Sequence, residues 1–364
     1  MTANLLARNL HYQLINGEVV INMITDTPNH VYQPGFLYVV FDKVRSDEII
    51  RKQRDLLDSH VNLFVDAAEK IDRDNKVVIT KGGKEFPYDY LVVATGSRIV
   101  PEEIPGLSEG GHWFYSLDGA KKLRDSLKDF DGGRVVISTG VPHKCPVAPL
   151  EITFMLYDYF KQKNMLDKVE IYYTYPINRL HALEPVSNWT IPQFESKGIK
   201  YEVLFNMEEV DPAKKVLKSM EGSELHYDLL ITVPPHSGSK VIEDSGMGKK
   251  GWVATDKQTL NNAGYDNVYV VGDTTDIPIS KAGSTAHFEA DVVAERLSSQ
   301  VLEGCASTRY DGKVVCFVET GFDEATYVWF NYKTPPRPTP PSKMLHWMKL
   351  GYNRLYWLSA KGVL

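Results

Sequence analysis

The chain has 364 residues, 43% hydrophobic and 24% charged, which suits two or three globular domains with full cores. A formal net charge of −6 argues against a nucleic-acid partner, and no apolar run approaches the ~20 residues of a bilayer span. Three cysteines, Cys145, Cys305 and Cys316, are too few for a disulfide scaffold, and none has the spacing of a zinc site.

In chain order, "LLARNLHYQL" predicts a helix without a cap, and "EVVINMIT" a strand ending at "TDTP". The opening residues have no apolar core or cleavage signal of a leader peptide, so a location on the cytoplasmic side is expected. Charged helical material is expected from 46 to 59. "KVVITKGGKEFPYDYLVVATGS" reads as strand, Gly-Gly turn, strand, then a buried strand. A helix over 116–130, a strand over 134–138 and a helix over about 149–163 follow. "KVEIYYTYP" is a further strand, and a second meander ends in the buried run "DLLITVPP". "NVYVVGDTTD" and "AGSTAHFEADVVAERLSSQVLEG" give a last strand, turn and helix. The tail from about Tyr310 is aromatic-rich, with a stiff connector at "TPPRPTPP". Alternating strands and helices predict an α/β fold of two Rossmann-like, three-layer domains.

Two strand ends carry chemistry. "YDYLVVATGS" delivers Thr95 and Gly96, and "NVYVVGDTTD" delivers Gly272 and Asp273. Glycine lets a backbone approach a ligand closely, and an acid there can accept a hydrogen bond from a polyol hydroxyl. Either alone could be an ordinary strand-end turn. A third turn, "STGVPHKCPVAPLE", stands where a phosphate-binding glycine loop would be expected in a nicotinamide-binding domain. It has only Gly140, and its prolines remove amide donors, which argues against NAD.

With these motifs the sequence resembles the two-dinucleotide-domain flavoprotein reductases, and within them the sulfide:quinone reductase and flavocytochrome c sulfide dehydrogenase branch. The resemblance covers nearly the whole chain. It implies FAD as cofactor, sulfide and a quinone as substrates, and no metal. Residues implied to line FAD are Thr25 or Asp26, Pro34, Thr95, Gly96, Gly272, Asp273, and Lys281, Ala282 and Gly283 of "PISKAGST". Cys145 and Glu151 match the branch's C-x-x-x-P-x-E, and Cys316 its "Y-D-G…C-x-x-x-T-G". The implied roles are a redox pair of Cys145 and Cys316, a proton carrier in Glu151, and a nearby histidine in His181, whose other reading is structural. Near a helix N-terminus, Cys145 is expected to have a lowered pKa.

The resemblance is incomplete. No third cysteine follows the ATG strand, and Cys305 matches nothing. The first strand and glycine loop of the FAD domain are absent before the opening helix; either the native start lies upstream or a central strand has been lost, and the upstream start is expected. The implied organisation is an FAD domain in two parts, 1–104 and 231–304, around a second dinucleotide-type domain, 105–230. The region 305–364 is then quinone- and membrane-associated. There, Met344, Leu345, Trp347, Met348, Tyr352, Leu355 and Tyr356 fall at helical spacing, flanked by Lys343, Lys349, Arg354 and Lys361. That pattern suits a peripheral, monotopic membrane contact, or else a core or dimer helix in a homo-oligomer. Phe317 and Tyr352 are the weakest assignments, as quinone contacts. The rival readings are an NADH:quinone reductase of type II and a flavin-free scaffold.

Overall fold

The computed structural model describes residues 1–363. It opens with α1 (Thr2–Asn9), which has no side-chain cap, and β1 (Ile21–Thr25). β1 pairs in parallel with β2 (Val61–Val65). The meander β3 (Ala68–Asp72), β4 (Val77–Thr80) and β5 (Glu85–Pro87) then leads to β6 (Leu91–Val93). The charged stretch 46–59 departs from expectation. It forms a short strand, Ile50–Lys52, and a single turn of helix, Gln53–Leu56. Asp58 there turns back on His60 instead of extending a helix.

The second domain is a parallel sheet with helices packed against it. α2 (Leu117–Asp129) starts at Ser116, whose Oγ accepts the Gly119 amide at 3.1 Å. β7 (Gly133–Thr139), α3 (Ala148–Gln162), β8 (Val169–Tyr175), α4 (Glu184–Ser196) and β9 (Lys200–Val203) follow. The meander β10 (Met207–Asp211), β11 (Val216–Ser219) and β12 (Glu224–His226) precedes β13 (Leu229–Val233). The sheet order is β9-β8-β7-β13, all parallel. β13 therefore carries this sheet past residue 230. Ile137, Phe154, Phe160, Tyr173 and Phe194 are wholly buried between sheet and helices. Each contributes roughly 1.5–3 kcal/mol through burial.

The chain returns to the first domain through β14 (Tyr265–Val270), which pairs in parallel with β6. Among the described residues, β1 is laddered only to β2, and β6 only to β14, so the sheet is in two pieces. Ile21, Met23 and Ile24 of β1 stay only half-buried despite their apolar side chains. The long helix α5 (Gly283–Val301) lies against α1. The tail forms an antiparallel hairpin, β15 (Val314–Glu319) and β16 (Ala325–Phe330), and ends in α6 (Lys343–Ala360). Ser342 caps α6 by accepting the Leu345 amide at 3.3 Å. Among the described residues, no helix is long and apolar enough to cross a membrane.

Candidate active site

The cysteine turn sits between β7 and α3, at the carboxyl end of the second sheet, where open α/β folds place ligands. Cys145 holds a left-handed φ of +49°, which costs a non-glycine residue roughly 1 kcal/mol or more. Two backbone bonds hold it there. Its amide donates to the Lys281 carbonyl at 2.7 Å, and its carbonyl accepts the Ala148 amide at 3.0 Å. The turn is thereby clamped across the domains, onto the loop that starts α5.

Four turns converge at this place. Lys144 donates from Nζ to Gln33 Oε1 at 2.7 Å, beside Pro34, and lies 3.6 Å from Asp273 Oδ2. Asp273 also accepts from the Ser97 hydroxyl at 3.1 Å, and Thr95 and Thr274 hydroxyls meet at 3.0 Å. Gly96 and Gly272 take φ of +65° and +81°, and the space where a Cβ would stand is open at Gly96 and at Gly283. α5 begins without a side-chain cap, leaving first-turn amides free for an acceptor. Thr95, Gly96, Gly272, Asp273, Ala282 and Gly283 thus fit the hydroxyls and electron-rich edge of FAD. Lys281 turns its amine inward instead. Nζ donates to the Asp273 carbonyl at 2.9 Å and to that of Thr275, and stands over the Trp252 ring at 4.4 Å. Thr25, at the end of β1, is half-buried and bonds within its own turn, and Asp26 is exposed.

Cys145 and Cys316 are both free and half-buried, and both line one small, mainly apolar cavity, with Pro146, Leu183, Ala282, Val328 and Phe330. The expectation of a low-pKa thiolate at Cys145 is corrected here. Burial, reinforced by the charge of Glu151, pushes its thiol up to about 12. Cys316 is raised as well, first by burial. The Lys349 charge and the Ala148 amide at the start of α3 work to lower the Cys145 pKa, but the loss of water around the sulfur outweighs them.

His181 is fully buried and lines the same cavity. Its Nδ1 accepts the Leu183 amide at 3.0 Å, so in the neutral ring Nε2 carries the hydrogen, and that atom has no protein partner. Burial lowers its pKa to about 3. His143 and His236, which carry no sequence motif, are lowered by burial to about 4 and about 3.

Glu151 is buried on α3, and burial raises its pKa. Its Oε1 accepts the Glu319 amide at 2.9 Å and is paired with the Lys349 ammonium. Lys349, expected from the sequence among the basic residues that flank the apolar spacing of the tail helix, is 8% exposed. Burial works to lower its pKa, but the charges of Glu151 and Glu319 outweigh this and raise it. Glu319, wholly buried, accepts from the Tyr38 hydroxyl at 2.6 Å and pairs with His346 Nδ1 at 2.9 Å. Lys349, Glu319, Tyr38 and His346 carried no motif. Only Lys349's place on the apolar spacing of α6 hinted at it. Phe317 and Tyr352 do meet, with ring centroids 6.2 Å apart.

The chain is similar to known proteins over most of its length. Residues 6–290 match the family described as pyridine nucleotide-disulphide oxidoreductase. The mitochondrial sulfide:quinone oxidoreductase of Dictyostelium discoideum is 28% identical over 344 residues, 90% of this chain and 75% of that protein. The mouse mitochondrial sulfide:quinone oxidoreductase is 25% identical, over 88% of this chain and 74% of that one. The crystal structure of the sulfide:quinone oxidoreductase from Aquifex aeolicus superposes with a TM-score of 0.86 at 20% identity, covering 100% of this chain and 90% of that one. The chain belongs to the pyridine nucleotide-disulphide oxidoreductase family, FAD-dependent oxidoreductases whose two-domain α/β fold it shares.

Proposed function

We propose that the chain oxidises sulfide and passes the electrons by way of FAD to a quinone, with Cys145 and Cys316 as the redox pair. The observation that carries this reading is the shared cavity, which holds two cysteines 171 positions apart in sequence beside His181. In the oxidised pair, hydrosulfide attacks one sulfur. A new S–S bond forms as the cysteine–cysteine bond breaks, leaving a persulfide on one residue and a thiolate on the other. The electron pair of the broken bond leaves on that thiolate. FAD, when bound, supplies a two-electron acceptor. Because burial raises both thiols, a base is needed to take the proton that the persulfide carries. Glu151, buried next to the cysteines, is placed to do so. The Nε2 hydrogen of His181 can donate to a negatively charged sulfur in the cavity.

The quinone side is supported by Phe317 and Tyr352. α6 adds an exposed row, Met344, Trp347, Met348, Leu355 and Leu358, at helical spacing. Such a face suits peripheral contact with the membrane in which a quinone dissolves.

Sulfide-dependent quinone reduction by purified, flavin-loaded protein tests the reading. C145A and C316A should each lose it by ~100-fold or more, as expected for a nucleophile of the covalent step. Full activity in both variants would contradict the mechanism, and flavin bleaching by NADH but not by sulfide would select an NADH:quinone reductase.

A further inference from the structure

We propose that Asp158 is a positioning residue for the redox pair: it docks the tip of the hairpin that carries Cys316 onto α3, the helix that follows the Cys145 turn. The inference rests on the Cys145–Cys316 reading above and adds what sets the register of the two thiols.

Cys145 is joined to α3 directly, since its carbonyl accepts the Ala148 amide of the first turn at 3.0 Å. Cys316 lies on β15, and β15 and the turn after it are tied to α3 by two carboxylates of that helix. Glu151 Oε1 accepts the Glu319 amide at 2.9 Å, and Asp158 Oδ2 accepts the Phe322 amide at 2.8 Å. Glu151 and Asp158 stand seven positions apart, on one face of the helix and about 10 Å apart along its axis. Glu319 and Phe322 stand three positions apart, and extended chain also covers about 10 Å in three residues. The two rises match, so helix and strand run side by side in the same direction and in one register. A further three residues back along β15 lead from Glu319 to Cys316. A comparable length back along α3 and its leading turn goes from Glu151 to Cys145. With this register fixed, both cysteines line one cavity.

Two features mark the Asp158 contact as the outer anchor of that register. Gly321 stands against the carboxylate, and a Cβ there would lie 2.3 Å from Asp158 Oδ2. Gly321 has no left-handed φ, so the missing side chain makes room for the carboxylate and answers no demand of its own backbone. The Phe322 ring also packs edge-on against Phe41, with centroids 5.2 Å apart, and Phe41 packs on Tyr159, beside Asp158, at 5.7 Å. Apolar packing holds the tip down but has no direction. The bond from the amide to Asp158 has both length and direction, and so sets where along α3 the tip sits.

The test equilibrates flavin-loaded protein anaerobically with reduced and oxidised dithiothreitol, and reads the bridged fraction of Cys145 and Cys316 by alkylation and mass analysis. Forming the bridge oxidises the two thiols and reduces one oxidised dithiothreitol. D158A should lower the equilibrium constant for the bridge about tenfold, a rise of about 30 mV in reduction potential. The loosened hairpin must then give up more motion to close the bond. D158N keeps an oxygen that can accept from the Phe322 amide and should restore most of the loss. G321A should match D158A, because its methyl displaces the carboxylate, and D158A/G321A should lose no more than either alone. A merely structural role would lower the thermal midpoint and leave the constant unchanged. Wild-type constants in both D158A and G321A would overturn the proposal, as would additive losses in the double variant. A wild type that forms no Cys145–Cys316 bridge would overturn the redox pair and this proposal with it. Constants that shift as expected in a protein that sulfide cannot reduce would overturn only the proposed substrate.

Discussion

Two buried regions meet at Cys316, and they handle charge in opposite ways. On one side lies the thiol cavity, apolar and lined by Cys145, Cys316 and His181. Its groups are held neutral: the thiols are raised and the histidine is lowered, each first by burial. On the other side lies the cluster of Glu151, Lys349, Glu319 and His346, equally removed from water, with Glu151 ion-paired to Lys349 and Glu319 bonded to His346 and Tyr38. The contrast locates the reactive proton. A neutral thiol waits in the cavity, and the base that can take its proton belongs to the charged side. Glu151 is the one residue whose carboxylate serves both.

Removing Lys349 should disturb the charged side most severely. K349M leaves the buried Glu151 carboxylate without its cation, and should cost about 3–5 kcal/mol of stability, read as a fall in thermal midpoint. Adding E151M should recover much of that loss, since the penalty is an unpaired charge and not lost packing. If K349M is as stable as wild type, the pair is not buried as described.

Acid should break the neutral side, with a smaller effect. His143, His181 and His236 are lowered to about 4, about 3 and about 3 from an ordinary 6.5. Below pH 6.5 the unfolded chain binds these protons and the folded one does not. The stability they lend is therefore present above 6.5 and lost as pH falls toward 4. Each contributes at most about 2 kcal/mol of loss at pH 5. Thermal midpoints between pH 7 and pH 5 check this, and H181L should make the slope shallower. A flat profile would show that these rings are hydrated.

Much of the fold was legible because its strands are short apolar runs punctuated by glycine and proline. β7, β8, β14 and the helices α2, α3 and α5 follow those signals closely. Helix α4 escaped notice because "EPVSNWTIPQF" has a proline inside it, Pro192, and little apolar contrast between its faces. The stretch 46–59 misled in the opposite direction, since charge alone does not make a helix when the side chains bond to their own turns. At the site, Cys145, Glu151 and Cys316 were legible through local motifs. Their partners were not. Lys144, Glu319, Tyr38 and Lys349 act across distances of 100 residues or more, and only the fold brings them together. The pKa of Cys145 was misjudged for the same reason: a helix start is visible in sequence, but the loss of water around a side chain is not.

The most direct measurement is mass analysis of cysteine peptides after anaerobic addition of limiting sulfide to the oxidised, flavin-loaded protein. The account predicts one added sulfur atom on Cys145 or Cys316 and none on the exposed Cys305. Flavin reduced by sulfide with no sulfur on either cavity cysteine would contradict it.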